Sequence, residues 1–545
     1  MSFIKKNITF LLLSLCVFSQ LHYFNSVPRL NSDHLDQLTY TQNWIKGNGH
    51  SVERADPNDY SLSNYEHNGN WPPGFSVLCI PLLKLSIGPL QILNLLASVG
   101  IVICILGLYW VFSILSEEYK SQSGKYFFIA FLAFSNSLFR TGGATDFLSL
   151  GFFLIALGFF LFRFKSQVNN NKELVVNIFL LSVFTSLTFW FRYAYLLVSF
   201  SFVLLFFLRA MKNKTAWKYM VLHFIFHILL ISPIFFWMTY FELDDAPSVI
   251  VEKLHFSGLM DLDSFGFNSF FIYSLFEKVT IALTNSYVAL YFVGAGISLL
   301  ILSLILFLLA KLVKNDKSYN LLILILPMLI YVYTLAHRFI QLPFAGFENR
   351  YHLHRYYILC YSIVILLGVV LAFSNIKYVK LKFKIMLKYL LFFSLFINIS
   401  YWTYYKVKFK FFDYKYNLSQ FYAPEGATND YFLLANSLKN YESPNKKVFV
   451  LNRGVKNKRL KGKDNFMFRF ASLSGCSMLL KENIKIKKPY SNNAIDLFVP
   501  LPTDTNDVFL EKFCEEYKAK LYKNLNSAKF NIMLVKLSPH SLKND

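Results

Sequence analysis

Long apolar runs broken by short polar and basic clusters make up most of this chain. A bilayer core of ~30 Å takes about 20 apolar residues per helix. On that measure the runs near 8–24, 88–115, 126–139, 146–162, 174–190, 193–209, 217–240, 284–310, 319–337, 355–374 and 387–404 predict about eleven transmembrane helices. The first run follows Lys5 and Lys6 and has no small-residue cleavage site after it, so it reads as an uncleaved anchor. Beyond residue 404 the pattern changes. Residues 428–440 and 508–518 have helical periodicity, whereas KVFVLN (447–452) and FNIMLVKL (530–537) read as buried strands. The expected fold class is therefore an all-α polytopic membrane domain over 1–404, with outward loops at 25–87 and 241–283. A small C-terminal α/β extracytoplasmic domain follows over 405–545.

Composition agrees: 55% of the 545 residues are hydrophobic and 19% aromatic, too apolar for a soluble core, so membrane lipids are the main solvent. A net charge of +23 would suggest nucleic acid if it formed one stripe, but the basic residues fall in clusters between spans, and no nucleic-acid partner is expected. Lys120 with Lys125, Arg163 with Lys165, Arg209 through Lys218, Lys311 through Lys317 and Lys377 through Lys388 all fall on the side of Lys5 and Lys6. By the positive-inside preference the amino terminus is cytoplasmic. The acidic residues Asp33, Asp36, Asp56, Asp59 and Glu66 of one loop, and Glu242, Asp244, Asp245, Asp261 and Asp263 of another, then face outward. A bacterial inner membrane with the active face and C-terminal domain in the periplasm is the simplest compartment; a eukaryotic endoplasmic reticulum stays open.

Four of the six cysteines lie in or beside apolar runs. Cys476 and Cys514 sit in polar sequence, either as core thiols or as a disulfide. No internal repeat and no phosphate-binding glycine loop occurs.

The first outward loop carries the chemistry. NSDHLDQLTYTQNWIKGNGHS (31–51) places Leu35, Leu38, Trp44 and Ile45 at helical spacing, with Ser32 able to cap the helix. Asp33 falls in the first turn, where the helix dipole favours an ionised carboxylate, and Asp36 lies one turn on, on nearly the same face. Two such acids can also simply stabilise a helix start. NWPPGFSVLCIPLLKL (70–85) has a paired-proline entry into a helix too short and interrupted to span, so it reads as a second surface helix.

This loop resembles the first periplasmic loop of the GT-C glycosyltransferases, such as the protein O-mannosyltransferases and the aminoarabinose transferase of lipid A. The shared pattern is an acid just past the first span, an aromatic-rich helix ending in a glycine pair (Gly47 and Gly49), then Pro-Pro leading into an apolar helix. Asp33 matches the family's Asp, while His34 stands where many members have Glu, leaving Asp36 to take over any second-acid role. RTGGATDFLSLGFF (140–153) is similar to the outward start of the family's fourth span, with Asp146 as its acid. ENRYHLHRYYILCYS (348–362) is similar to the Arg-Tyr stretch that opens a late span.

The resemblance implies transfer of a sugar from a polyprenyl-phosphate donor to a lipid, glycan or protein acceptor. That reaction needs a base for the acceptor proton and cations for the departing phosphate. Asp33 is the candidate base, and a single carboxylate fits an inverting displacement. Asp36 and Asp146 are candidates for orienting the acceptor or binding a metal. Arg140, Arg192, Arg350 and Arg355 lie at outward ends of spans, against the positive-inside preference, and suit a lipid phosphate; snorkelling or pairing with nearby acids would place them there as well. A divalent metal ion stays open as a cofactor. His50, His67, His255, His352 and His354 are also outward, without specific metal spacing, and His223 with His227 have zinc-like spacing but suit interhelical hydrogen bonds better.

Rival functions are a transporter, a lipid-linked O-antigen ligase or polymerase, and a noncatalytic scaffold. A transporter would gather its ionisable residues at mid-membrane in broken helices, and a ligase carries its large loop late in the chain.

Overall fold

The computed structural model describes residues 32–67, 71–118, 143–164, 171–212, 216–240, 323–331, 358–373, 380–389, 430–451, 467–484, 491–503, 507–526 and 529–539, with positions 8, 10–15, 17, 18, 21 and 392. In chain order these give α1 (Ser32–Ile45), β1 (Ser51–Ala55), β2 (Ser63–His67), α2 (Gly74–Lys84), α3 (Pro89–Glu118), α4 (Ala144–Arg163) and α5 (Asn171–Phe191). A 3-10 turn (Tyr193–Tyr195), α6 (Leu196–Lys212), α7 (Ala216–Tyr240), α8 (Ile358–Phe373), α9 (Asp430–Asn440) and β3 (Lys446–Leu451) follow. The chain continues with α10 (467–473), β4 (Ser477–Leu480), β5 (Ile495–Pro502), α11 (Val508–Glu516), β6 (Lys520–Leu525) and β7 (Phe530–Leu537). Two compact units result: Met1–Arg29, Asn70–Gly74 and Asn94–Phe412 in one, Leu30–Gly69, Phe75–Leu93 and Asp413–Asp545 in the other.

The first unit is helical. Among the described residues five helices are long and apolar enough to cross a membrane: Gln91–Glu118, Ala144–Arg163, Asn171–Phe191, Tyr193–Met211 and Ala216–Trp237. Each coincides with an expected span, and the chain is an integral membrane protein. The expected runs near 126–139 and 284–310 lie outside the described residues, as does most of 387–404; of the run 8–24, positions 8, 10–15, 17, 18 and 21 are described, as helix. Only 323–331 of the run near 319–337 is described, and the run near 355–374 forms the 16-residue α8. Large apolar side chains such as Val176, Leu229 and Phe236 stay exposed on these helices, as expected of surfaces that face lipid.

Small residues set how closely α3 and α4 approach. A Cβ on Gly107 would lie 2.8 Å from Cβ of Leu154, and one on Gly151 would lie 2.7 Å from Cγ2 of Ile103. Gly100 meets Phe147 and Gly158 meets Trp110 in the same way, so each helix offers glycines seven residues apart to the side chains of the other. In a bilayer, where apolar burial drives little association, such close approach supplies the packing energy. Gly151→Val is therefore expected to cost about 1–3 kcal/mol by overpacking. A lowered thermal midpoint in detergent, against an unchanged one for the exposed Phe236→Leu, would register it.

Polar side chains join α5, α6 and α7. His227 lies 2.8 Å from Ser186 Oγ through Nδ1 and 2.9 Å from Ser199 Oγ through Nε2, and His223 Nδ1 lies 2.8 Å from Ser182 Oγ. The zinc-spaced pair thus makes interhelical hydrogen bonds, as its lack of a neighbouring Glu suggested.

The second unit is built on a seven-stranded sheet in the order β2-β1-β4-β3-β5-β7-β6. The neighbours β1/β4, β4/β3 and β3/β5 are parallel, and the outer pairs are antiparallel. The C-terminal elements fall close to where periodicity put them. The hairpin β1–β2 is a correction: the first outward loop, read as two helices and connecting chain, also supplies two strands to the sheet. Cys476 and Cys514 are free thiols in two different apolar clusters of this unit, and burial pushes each up to about 12.

Candidate functional site

The acids of the first loop sit on α1, whose interior positions Leu35 and Leu38 are fully buried. The helix ends where Gly47 (φ +88°) takes the left-handed region, with Gly47 N–H donating to Trp44 O at 3.0 Å and Asn48 N–H to Asn43 O at 3.0 Å. Gly49 (φ +70°) follows, and a Cβ there would lie 2.7 Å from Cε1 of His67. Both glycines of the motif are thus required by the backbone, the second also by the close approach of β2. Asn43 Nδ2 donates to Ser51 O at 2.8 Å, fixing the end of α1 to β1.

On the exposed side of α1 are Asp33 and Asp36, each half-buried, with Oδ2 of Asp33 shielded from solvent. Asp36 is gripped by Arg469 of α10. Nε donates to Oδ1 at 2.7 Å and a terminal guanidinium nitrogen donates to Oδ2 at 2.9 Å, a two-bond fork. Burial pushes the Asp36 carboxyl above the usual carboxylate range. Arg469 opposes that shift, and the nearby Asp33 adds to it. Tyr40, one turn beyond Asp36, is buried, and burial together with the Asp36 charge pushes its hydroxyl well above the ordinary range.

His34, at the position where the resemblance in sequence sets a Glu in many members, is 2% exposed and meets Phe75 of α2 edge-on at 5.3 Å. Position 34 therefore serves the contact between α1 and α2, off the face that bears the two aspartates. His50 Nε2 lies 3.1 Å from Ser76 Oγ, and its ring stands edge-on to Tyr40 at 4.9 Å. Among the described residues no group of three His, Cys, Asp or Glu side chains could hold a metal ion.

Two more of the expected site residues meet in the helical unit. Asp146, in the first turn of α4, accepts from Gly143 N–H through Oδ2 at 2.8 Å. Its Oδ1 lies 2.6 Å from Nη1 of Arg192, which opens the 3-10 turn after α5. Arg192 also reaches Thr145 Oγ1 at 3.4 Å. The two side chains are 4% and 6% exposed, so the pair is a desolvated one. Arg140, Arg350, Arg355, His255, His352 and His354 lie outside the described residues.

Arg469 is the functional candidate that sequence reading missed. It stands in FMFRFAS (466–472), which carries no motif, and meets Asp36 across 433 residues of chain.

A helical membrane unit together with a unit that joins the first loop to a C-terminal sheet describes a polytopic membrane protein with a sheet-built second unit. The chain is similar in structure to ArnT from Cupriavidus metallidurans bound to undecaprenyl phosphate, with a TM-score of 0.51 at 10% identity over 96% of this chain and 98% of that one. It also matches the apo state of the same ArnT (TM-score 0.45, 10% identity, 95% and 97% covered). A third match is the archaeal oligosaccharyltransferase AglB from Archaeoglobus fulgidus in complex with an inhibitory peptide and a dolichol-phosphate (TM-score 0.45, 11% identity, 97% and 74% covered). No family model and no curated protein sequence matches the chain.

Proposed function

We propose that this chain is an integral membrane glycosyltransferase that moves a sugar from a polyprenyl-phosphate donor to an extracytoplasmic acceptor by an inverting displacement. The observation that carries the reading is the likeness in fold to the undecaprenyl-phosphate-bound ArnT along nearly the whole of both chains. The position of Asp33, in the first turn of the helix that opens the first outward loop, supports its role as the base.

In this reading Asp33 takes the proton from an acceptor hydroxyl or amine as that atom bonds to the anomeric carbon. The bond from carbon to phosphate oxygen breaks on the opposite face, and polyprenyl phosphate leaves. Arg192, Arg140, Arg350 and Arg355 supply the cations for the phosphate. Asp36 and Asp146 already meet arginines, which suits them to orientation more than to metal binding. The basic clusters support a cytoplasmic amino terminus, so the site faces the periplasm of a bacterial inner membrane. The acceptor is a lipid, a glycan or a protein.

Membranes containing the protein, supplied with undecaprenyl phosphate carrying mannose, glucose, arabinose or aminoarabinose, should release undecaprenyl phosphate from at least one of the four. Membranes without the protein should not. Release from none of them would overturn the reading.

A further inference from the structure

We propose that Arg469 is a positioning residue for the acidic face of α1, so that the C-terminal domain completes the site carried by the first outward loop. The inference rests on the reading of Asp33 as the base and assigns the part played by its neighbour.

Arg469 is not a loose surface side chain. Its helix is set into the domain core, with Met467, Phe470 and Ala471 fully buried. Tyr431 of α9 stacks on Phe470, with ring centroids 6.2 Å apart. Ser474 Oγ donates to Ala435 O at 3.1 Å, and Cys476 N–H donates to Ala471 O at 3.0 Å to close the helix end. The guanidinium therefore projects from a fixed backbone. A two-bond fork fixes both the place and the plane of the carboxylate it holds, and so the rotation of α1 about its own axis.

The same stretch of chain secures the other end of α1. β4 begins just after α10, and β1 pairs with it in parallel, with Arg54 opposite Met478. Glu53 of β1 accepts hydrogen bonds from Ser477 Oγ and from Ser63 Oγ, the latter at 2.7 Å. α1 is thus held at its start by Arg469 and at its end, through Asn43 and β1, by β4. Asp33, three residues before Asp36, is carried on the part of the helix that Arg469 fixes.

The fork also settles which acid is available for chemistry. Taking a proton on Asp36 would mean breaking two charge-assisted bonds. Without the guanidinium, Asp36 would leave a second negative charge beside the base. The charged and titratable groups around Asp36 are Asp33 and Tyr40 on its own helix and Arg469 from α10, with the Arg54–Glu66 pair of the hairpin acting on Tyr40.

The test uses the full-length protein in membranes and the donor that the wild type consumes. Arg469→Gln should lower kcat for undecaprenyl phosphate release by about tenfold to 10²-fold, with KM little changed, as expected for a misplaced base. The acid limb of its rate profile, which reports the base Asp33, should move to higher pH by about one unit, because Asp33 would then ionise beside an Asp36 charge that Arg469 no longer balances. Arg469→Lys should return the acid limb towards the wild-type position but recover less of the rate, since an ammonium cannot make the fork. The double variant Asp36→Asn/Arg469→Gln should be no slower than the slower single variant.

Wild-type kcat and an unmoved acid limb in Arg469→Gln, or fully additive losses in the double variant, would overturn the inference. If Arg469→Gln does not fold, unchanged kcat in Arg469→Lys does so. An inactive Asp33→Asn beside an unaffected Arg469→Gln removes only the positioning role. An active Asp33→Asn removes the base on which that role depends.

Discussion

Asp33→Asn should lower release of undecaprenyl phosphate by 10²–10⁴-fold while the protein remains folded in the membrane. The size follows from losing general-base catalysis, which is typically worth that factor. The cost to folding is small by comparison. An ionised group in the first turn of a helix gains only about 0.3–1 kcal/mol from the dipole, and Asn keeps the shape of the side chain. The two effects are therefore separable: activity falls by orders of magnitude while the thermal midpoint barely moves. Asp33→Glu, which keeps the charge and shifts it by one methylene, should fall between wild type and Asn. Retention of more than about a tenth of wild-type release by Asp33→Asn would rule out the proposed base.

This variant also separates the loop from its neighbours in sequence. His34 is buried against Phe75, so His34→Glu would place a carboxylate in the contact between α1 and α2, away from the two aspartates. Position 34 is thus a packing position in this chain, and the polar face continues one turn on from Asp33, at Asp36.

Much of this arrangement can be read directly from the residues. The described spans follow apolar runs whose length alone meets the bilayer requirement, and FNIMLVKL forms β7 over the same eight residues because a short, mostly apolar run bounded by polar residues has few other solutions. Asp33, Asp36, Gly47 and Gly49 were legible because capping, dipole and left-handed turns are local effects. SVERA and SNYEH were not. Short and charged, they have little intrinsic strand preference and become strands through pairing with each other and with β4, some 424 residues away. Arg469 was hidden for the same reason: nothing near it in sequence distinguishes it from any other tail cation. Asp146 and Arg192 were each singled out, but their pairing depends on how α4 packs against the end of α5, which neither run specifies.

That pairing leads to the largest expected effect on stability. Removing one member of a desolvated ion pair leaves the other charge buried without compensation, at a cost of about 3–5 kcal/mol. Arg192→Met should therefore lower the thermal midpoint in detergent sharply, since Asp146 would lose the guanidinium beside Oδ1 and keep the Gly143 N–H on its other oxygen. Asp146→Leu should do so as well, by removing the carboxylate that lies 2.6 Å from the buried guanidinium. Because replacing both charges by apolar groups is often neutral, Asp146→Leu/Arg192→Met should regain most of the loss. Single variants with wild-type midpoints would show that the pair is solvated, and a double variant worse than either single one would show that the two charges are not coupled. The same double variant separates structure from chemistry. Restored in stability but unable to release undecaprenyl phosphate, it would identify Arg192 as a phosphate ligand that Asp146 holds in place. Restored in both, it would leave the proposed phosphate role to Arg140, Arg350 and Arg355 and make the pair a device for joining α4 to α5.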